Sequence, residues 1–84
     1  MYVEERQVGD YRIFAVASRT SRGRYVAGCA VKRIKGGDPK AEPVFLDGAV
    51  SGGFGFTDPH AALQHALEVG YRELRRLVRD RQLR

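Results

Sequence analysis

The stretch FTDPHAALQHALEVGYRELRRLVRDRQL, residues 56–83, has the pattern of one long amphipathic helix. Its apolar or small residues recur at steps of three and four positions, which aligns them along one side of a helix. They are Leu63, Ala66, Leu67, Gly70, Tyr71, Leu74, Leu77 and Val78. At about 100° per residue, this stripe covers an arc of roughly 140°. The pattern predicts a helix that buries one side against a second layer of structure.

Local signals define where this helix begins. Asp58 suits the N-cap, because its carboxylate can accept a hydrogen bond from a first-turn N–H, and Pro59 suits the first helical position. Thr57 is the second candidate for the cap. Glycine inside a helix costs about 1 kcal/mol relative to alanine, so Gly70 indicates a close approach of the helix to its neighbour. We predict a helix over about 59–80, with Leu63, Leu67, Tyr71, Leu74 and Val78 facing a sheet.

Three segments upstream of the helix have the composition of β-strands. They are residues 11–18 (YRIFAVAS), 25–34 (YVAGCAVKRI) and 44–50 (VFLDGAV), separated by a turn at 21–24 and a loop at 35–43. A glycine-rich bend over 51–55 leads into the helix. The predicted fold is α+β, a single domain over 1–84. It consists of a three-stranded antiparallel sheet with one long C-terminal helix packed on one face, in the order β-β-β-α.

Both faces of the predicted sheet are apolar, although one helix can cover only one of them. In residues 11–18 the alternate positions Tyr11, Ile13, Ala15 and Ala17 oppose Arg12, Phe14, Val16 and Ser18. An antiparallel sheet with one face in water usually shows a polar register on that face. The chain is therefore predicted to be a non-catalytic protein-interaction module that associates through its open sheet face, as a homodimer or with another protein.

The basic residues predict an alternative function. Residues 72–84 carry a net charge of +4 out of +5 for the whole chain, and the sequence pI is about 9.9. Arg75 and Arg79 lack an acidic residue four positions away. A basic helix face permits a polyanionic partner. The alternative is a weak, nonspecific nucleic-acid binder, with candidate residues Arg72, Arg75, Arg76 and Arg79.

Composition and the scarcity of reactive side chains exclude several other classes. The chain has 84 residues, 43% of them hydrophobic and 30% charged, as in globular domains. It contains no apolar run of the roughly 18 residues that a membrane span needs and no apparent signal peptide, so no membrane partner is expected. Cys29 is the only cysteine and lies in an apolar run, which predicts a buried thiol and a reducing, cytoplasmic location.

No pattern of catalytic or metal-binding residues is evident. His60 and His65 are five positions apart, whereas a helix brings together residues three or four apart. His65 is predicted to point to solvent, and no serine or cysteine has a nearby base. We therefore expect no enzymatic activity, no cofactor and no metal.

Two family resemblances bear on the fold. Gly53-Phe54-Gly55-Phe56 resembles the aromatic core of the RNA recognition motif, but that family has a helix where residues 19–34 read as a turn and a strand. Over its full length, the chain resembles small standalone βββα proteins of unknown function from beta-proteobacteria. The match rests on the hairpin, the third strand and a helix start with an aromatic residue, Thr or Asp, and Ala, here Phe56, Thr57 or Asp58, and Ala61 or Ala62. This resemblance implies the fold alone.

Overall fold

The computed structural model describes residues 1–34, 43–50 and 55–82, with side chains described through Arg79. Four strands precede one helix: β1 (Tyr2–Val8), β2 (Tyr11–Arg19), β3 (Tyr25–Arg33), β4 (Phe45–Asp47) and α1 (Pro59–Gln82). The strands form one sheet in the order β1-β2-β3-β4, and every neighbouring pair is antiparallel. The protein is thus α+β, with an antiparallel sheet and a C-terminal helix on one face.

The prediction of three strands was wrong, because β1 adds a fourth strand at the edge of the sheet. β1 joins β2 through the two-residue loop Gly9–Asp10, in which Gly9 has a φ of 57°. Glycine with positive φ at the first loop position is typical of type II′ hairpin turns. β1 carries charged or polar side chains on both faces, so its sequence shows no alternation of apolar and polar residues.

The strand predicted over 44–50 is shorter in the structure. Only Phe45–Asp47 pairs with β3, and the Asp47 carboxylate then accepts a hydrogen bond from the Ala49 N–H at 3.0 Å. This local bond interrupts the regular pairing of β4 with β3. Val50 keeps one contact with β3, through its N–H and the Ala27 carbonyl at 3.0 Å. Most of the loop predicted over 35–43 and of the bend over 51–55 lies outside the described residues.

The core lies between α1 and the alternate residues of β2 and β3. Leu63, Leu67 and Leu74 are buried against the sheet and Tyr71 is half-buried there, as predicted. The other buried core residues are Tyr11, Ile13, Ala15, Ala17, Ala27, Cys29, Val31, Ala62 and Ala66. Val78, which was also predicted to face the sheet, is 37% exposed. A helix of 24 residues is about 36 Å long, and a strand of nine residues is about 30 Å long. The helix α1 is therefore longer than the strands on which it packs.

Gly70 marks the closest approach of α1 to the sheet, as predicted. A Cβ atom at this position would lie 2.5 Å from Ile13 Cγ2 and 3.1 Å from Cys29 Sγ. Both distances are shorter than an ordinary van der Waals contact, and Ile13 is fully buried. Glycine at position 70 therefore allows the helix backbone to pack directly onto β2 and β3.

The N-terminus of α1 is capped by Asp58, as predicted. The Asp58 Oδ1 accepts a hydrogen bond from the His60 N–H at 3.0 Å, and the Asp58 carbonyl accepts one from the Ala62 N–H at 3.2 Å. Pro59 is the first helical residue and has no N–H to satisfy. Within the described residues, no helix combines the length and the apolar character needed to cross a membrane.

Candidate functional site

The face of the sheet opposite α1 is the first candidate surface. Strand register sorts its residues into rows that run across the sheet. The row nearest Gly9 is polar and consists of Gln7, Arg12 and Lys32. The next rows along the strands are Glu5, Phe14, Ala30 and Leu46, then Val3, Val16 and Gly28, and finally Ser18 and Val26. Polar side chains are therefore concentrated at one end of this open face.

Apart from Glu5 and Ser18, the side chains in the other rows of the open face are apolar. Leu46 is 71% exposed and Val3 is 55% exposed, while Phe14 and Val16 are half-buried. A shallow cavity of about 210 Å³ lies among Phe14, Val16, Ala30 and Leu46. Adjacent exposed apolar residues of this kind mark interaction sites more often than isolated ones do. Among the described residues, the backbone of Asp47 and Gly48 lies close to Gly28, which is buried, whereas α1 packs on the opposite face.

The four candidate arginines Arg72, Arg75, Arg76 and Arg79 are exposed, but they lie in different environments. Arg76 forms an ion pair with Glu73, with 2.7 Å between Nη2 and Oε2. Apart from this ion pair, the buried Glu73 Oε2 has no hydrogen-bond partner among the described residues. Arg75 and Arg79 form no ion pair with any described side chain. The four arginines thus form one exposed cluster in which Arg76 is partly neutralised.

Arg75 and Arg79 also border a groove between the hairpin turn at Gly9–Asp10 and the C-terminal half of α1. Its volume is about 520 Å³, within the range of small-molecule sites. The lining residues are Val8, Gly9, Asp10, Tyr11, Tyr71, Leu74, Arg75, Val78 and Arg79. We call it the basic groove. Sequence reasoning missed it because its two walls are about 60 positions apart in the chain.

Cys29 is buried, as predicted, and its chemistry follows from that position. The pKa of the Cys29 thiol is raised from 9.0 to about 11. Burial is the largest cause, and the negative charges of Asp47 and Glu73 contribute the rest. The thiol is therefore protonated at neutral pH. A protonated, buried thiol is a poor nucleophile and a poor metal ligand.

The two histidines lie apart, against different aromatic rings. His60 is exposed, with 6.4 Å between the centroids of its ring and that of Tyr2. His65 was wrongly predicted to point to solvent. It is half-buried with its ring centroid 5.6 Å from that of Phe56, and its Nε2 atom is buried without a hydrogen-bond partner among the described residues. In the described part of the chain, no three His, Cys, Asp or Glu side chains are grouped as metal ligands.

Phe56, the last aromatic residue of the glycine-rich motif, has a structural role. Its N–H and carbonyl pair with those of Tyr25 at 2.8 and 2.7 Å, and its ring packs against the core. Gly52, Gly53 and Phe54 lie outside the described residues. A tight turn, without a helix, connects β2 to β3. The chain thus departs from the RNA recognition motif both in topology and in the position of this aromatic ring.

Comparison of the chain with protein-family models, curated proteins and solved structures gives no match. The resemblance to small βββα proteins therefore stays a prediction. Functional inference rests on the two surfaces described above, the open face and the basic groove.

Proposed function

We propose that the protein is a non-catalytic protein-interaction module that self-associates through the open face of its sheet. The observation that carries the proposal is the exposure of Val3 and Leu46 beside Phe14 and Val16 on a face that α1 does not cover. Removing a large aliphatic side chain from water contributes about 1.5–3 kcal/mol when its burial is complete. Contact between two open faces would bury several such side chains.

The dimensions of the open face indicate a weak dimer. Strands of seven, nine, nine and three residues, with about 3.4 Å per residue and about 4.8 Å between strands, give a flat area of roughly 450 Å². A standard interface buries about 800 Å² on each partner. We therefore expect self-association that depends on concentration, with monomers present at low micromolar concentration.

The two cations on the open face favour one arrangement of the two copies. A two-fold axis parallel to the strands, between β2 and β3, would place Arg12 over Lys32 of the second copy, where like charges repel. A two-fold axis perpendicular to the strands, between the rows of Phe14 and Val16, instead places Arg12 and Lys32 of one copy over the row of Ser18 and Val26 in the other copy. The cations of the two copies then lie at opposite ends of the interface. This arrangement is the one that we propose.

Two further observations support an interaction role in a reducing compartment. Cys29 is protonated and buried, which supports a structural thiol rather than a catalytic one. A free cysteine also fits the reduced state of the cytoplasm. Cytoplasmic location and the lack of enzymatic activity are parts of the same proposal.

Sedimentation equilibrium between about 10 and 300 μM tests self-association. The wild-type chain should approach the dimer mass as concentration rises, and Leu46→Glu should remain monomeric because it places a charge in the apolar interface. Val78→Glu is the matched control, since it adds the same charge at an exposed apolar site away from the open face. A wild-type monomer at 300 μM, or equal loss of the dimer in both variants, would contradict the proposal. A dimer that strengthens markedly with salt would indicate the arrangement with Arg12 over Lys32.

The cluster of exposed helix arginines supports a second candidate, weak nucleic-acid binding. Arg72, Arg75, Arg76 and Arg79 could neutralise at most about four phosphates, so the slope of log affinity against log salt should be no steeper than about −3.6 for duplex DNA. We expect affinities of about 10⁻⁴ to 10⁻⁶ M, lost near physiological salt. The measurement is a salt titration with duplex DNA, duplex RNA and a single strand, using Arg75→Glu/Arg79→Glu as the variant. Nanomolar binding at 150 mM salt that the variant abolishes would make nucleic acid the primary partner.

A further inference from the structure

The basic groove combines an apolar floor with a charged rim. Tyr11 and Leu74 are buried at its base, and Val8 and Tyr71 are half-buried beside them. The charged residues of the groove are all exposed and therefore lie at its rim. A cavity with apolar walls and a few charged groups is the usual form of a small-molecule site.

The rim is positively charged overall and is not internally neutralised. Arg75 and Arg79 are one helical turn apart, so their charges repel each other. Asp10 is on the opposite wall, and no ion pair joins it to either arginine in the described structure. Two positive charges and one negative charge leave a net charge of +1 around the groove. A single anionic group between the arginines would relieve their repulsion, whereas a second would meet Asp10.

We infer that the basic groove binds a small apolar monocarboxylate. The carboxylate lies between Arg75 and Arg79, where guanidinium groups can donate charge-assisted hydrogen bonds. The aliphatic or aromatic body of the ligand lies on the floor, against Tyr11 and Leu74. A phosphate backbone would use the arginines but leave this floor exposed to water, so an acid with an apolar body fits the groove better than a nucleic acid does.

Octanoate is a suitable probe of this inference, because its two analogues separate charge from apolar contact. The ¹⁵N-labelled full chain is titrated with octanoate, octylamine and 1-octanol, each below the concentration at which it aggregates. Octanoate should shift the amide resonances of Gly9, Asp10 and residues 71–79, in a saturable way. Octylamine and 1-octanol should bind at least about tenfold more weakly, because the ammonium group has no acceptor and is repelled by the arginines, and the hydroxyl group carries no negative charge.

Paired variants test the position of the carboxylate. Arg75→Gln/Arg79→Gln should weaken octanoate binding at least about tenfold, while Arg72→Gln/Arg76→Gln removes the same charge from the same helix face and should change it by less than about threefold. Asp10→Asn should tighten binding, because it removes the negative charge from the rim. All substituted side chains are exposed, so equal urea midpoints should show that the variants remain folded.

The same titrations can overturn the inference. Equal binding of octanoate and octylamine, equal effects of the two double variants, or no shifts at 5 mM octanoate would each contradict it. Shifts confined to Val16, Ala30 and Leu46 would place the ligand on the open face and also contradict it. The groove lies on the helix side of the sheet, so this inference and the proposed self-association can fail separately.

Discussion

The two faces of the sheet are both apolar, yet their side chains differ in size. The face against α1 presents Ala15, Ala17, Ala27 and Cys29 at its centre, whereas the open face presents Phe14, Val16 and Leu46. The helix contributes Gly70 at its closest point. These small side chains and Gly70 let the backbone of α1 approach the sheet, although the same register also holds Ile13 and Val31, and the open register also holds Gly28 and Ala30.

This difference shows that hydrophobicity alone does not decide which face of a sheet is covered. A helix gains dispersion energy from close contact, and small residues on both surfaces bring the backbones together. Larger side chains on the sheet would keep the helix backbone farther from the strands and would leave gaps in the packing. They can instead interdigitate with a second sheet, whose usual packing distance is about 10 Å. The open face of this protein has the side chains suited to sheet-on-sheet contact.

The largest expected effect compares one leucine on the covered side with one on the open face. Leu67→Ala should lower the free energy of unfolding by about 2–5 kcal/mol, because it leaves a cavity in the core. Leu46→Ala, the same change at a residue 71% exposed, should lower it by less than about 0.5 kcal/mol. Urea denaturation at low micromolar protein, where the monomer dominates, measures both. Similar midpoint shifts would mean that the covered and open faces are assigned wrongly.

The second comparison concerns thiols on the two faces. The pKa of Cys29 is raised to about 11, so its contribution to stability is complete below the pKa of the unfolded thiol, about 9, and is lost as pH rises toward 11. A shift of about two pKa units corresponds to about 2–3 kcal/mol. The difference in unfolding free energy between the wild type and Cys29→Ala should therefore shrink over pH 9–11.

A cysteine on the open face provides the control. In Cys29→Ala/Ala30→Cys, the new thiol lies next to the original position but on the opposite side of the sheet. We expect the new thiol to have a pKa near the ordinary cysteine value of about 8.5. The absorbance of the thiolate, measured at low protein concentration, follows this titration. A pKa as high as that of Cys29 would show that position 30 is also shielded from water.

Features specified by neighbouring residues could be predicted from the sequence. The cap at Asp58-Pro59, the stripe through Leu63, Leu67 and Leu74, and the buried Cys29 depend on local patterns, and the structure confirms them. β1 was missed because it is an edge strand with charged residues, which need no apolar alternation. The dipeptide Gly9-Asp10 before β2 is the signal that could have revealed it.

The sequence-based predictions failed where the outcome depends on contacts between segments that are far apart in the chain. His65 points away from the sheet on a helical wheel, but Phe56, paired with the start of β3, packs beside it. The basic groove depends on the hairpin turn reaching α1, which no local pattern shows. Its only trace in the sequence was that Arg75 and Arg79 lack acidic residues four positions away.

The smallest expected effect concerns Gly70, where the covered face is closest to the helix. Replacing a helical glycine with alanine usually stabilises a protein by about 1 kcal/mol. Here the new Cβ would lie 2.5 Å from Ile13 Cγ2, and overpacking of a core costs about 1–3 kcal/mol. We therefore expect Gly70→Ala to lower the unfolding free energy by about 1 kcal/mol. In an Ile13→Ala background the shortest contact is removed and only that with Cys29 Sγ at 3.1 Å remains, so the same substitution should cost less or become neutral in a double-mutant cycle. If Gly70→Ala alone stabilises the chain, the helix lies farther from β2 than described, and small side chains do not explain why α1 covers this face.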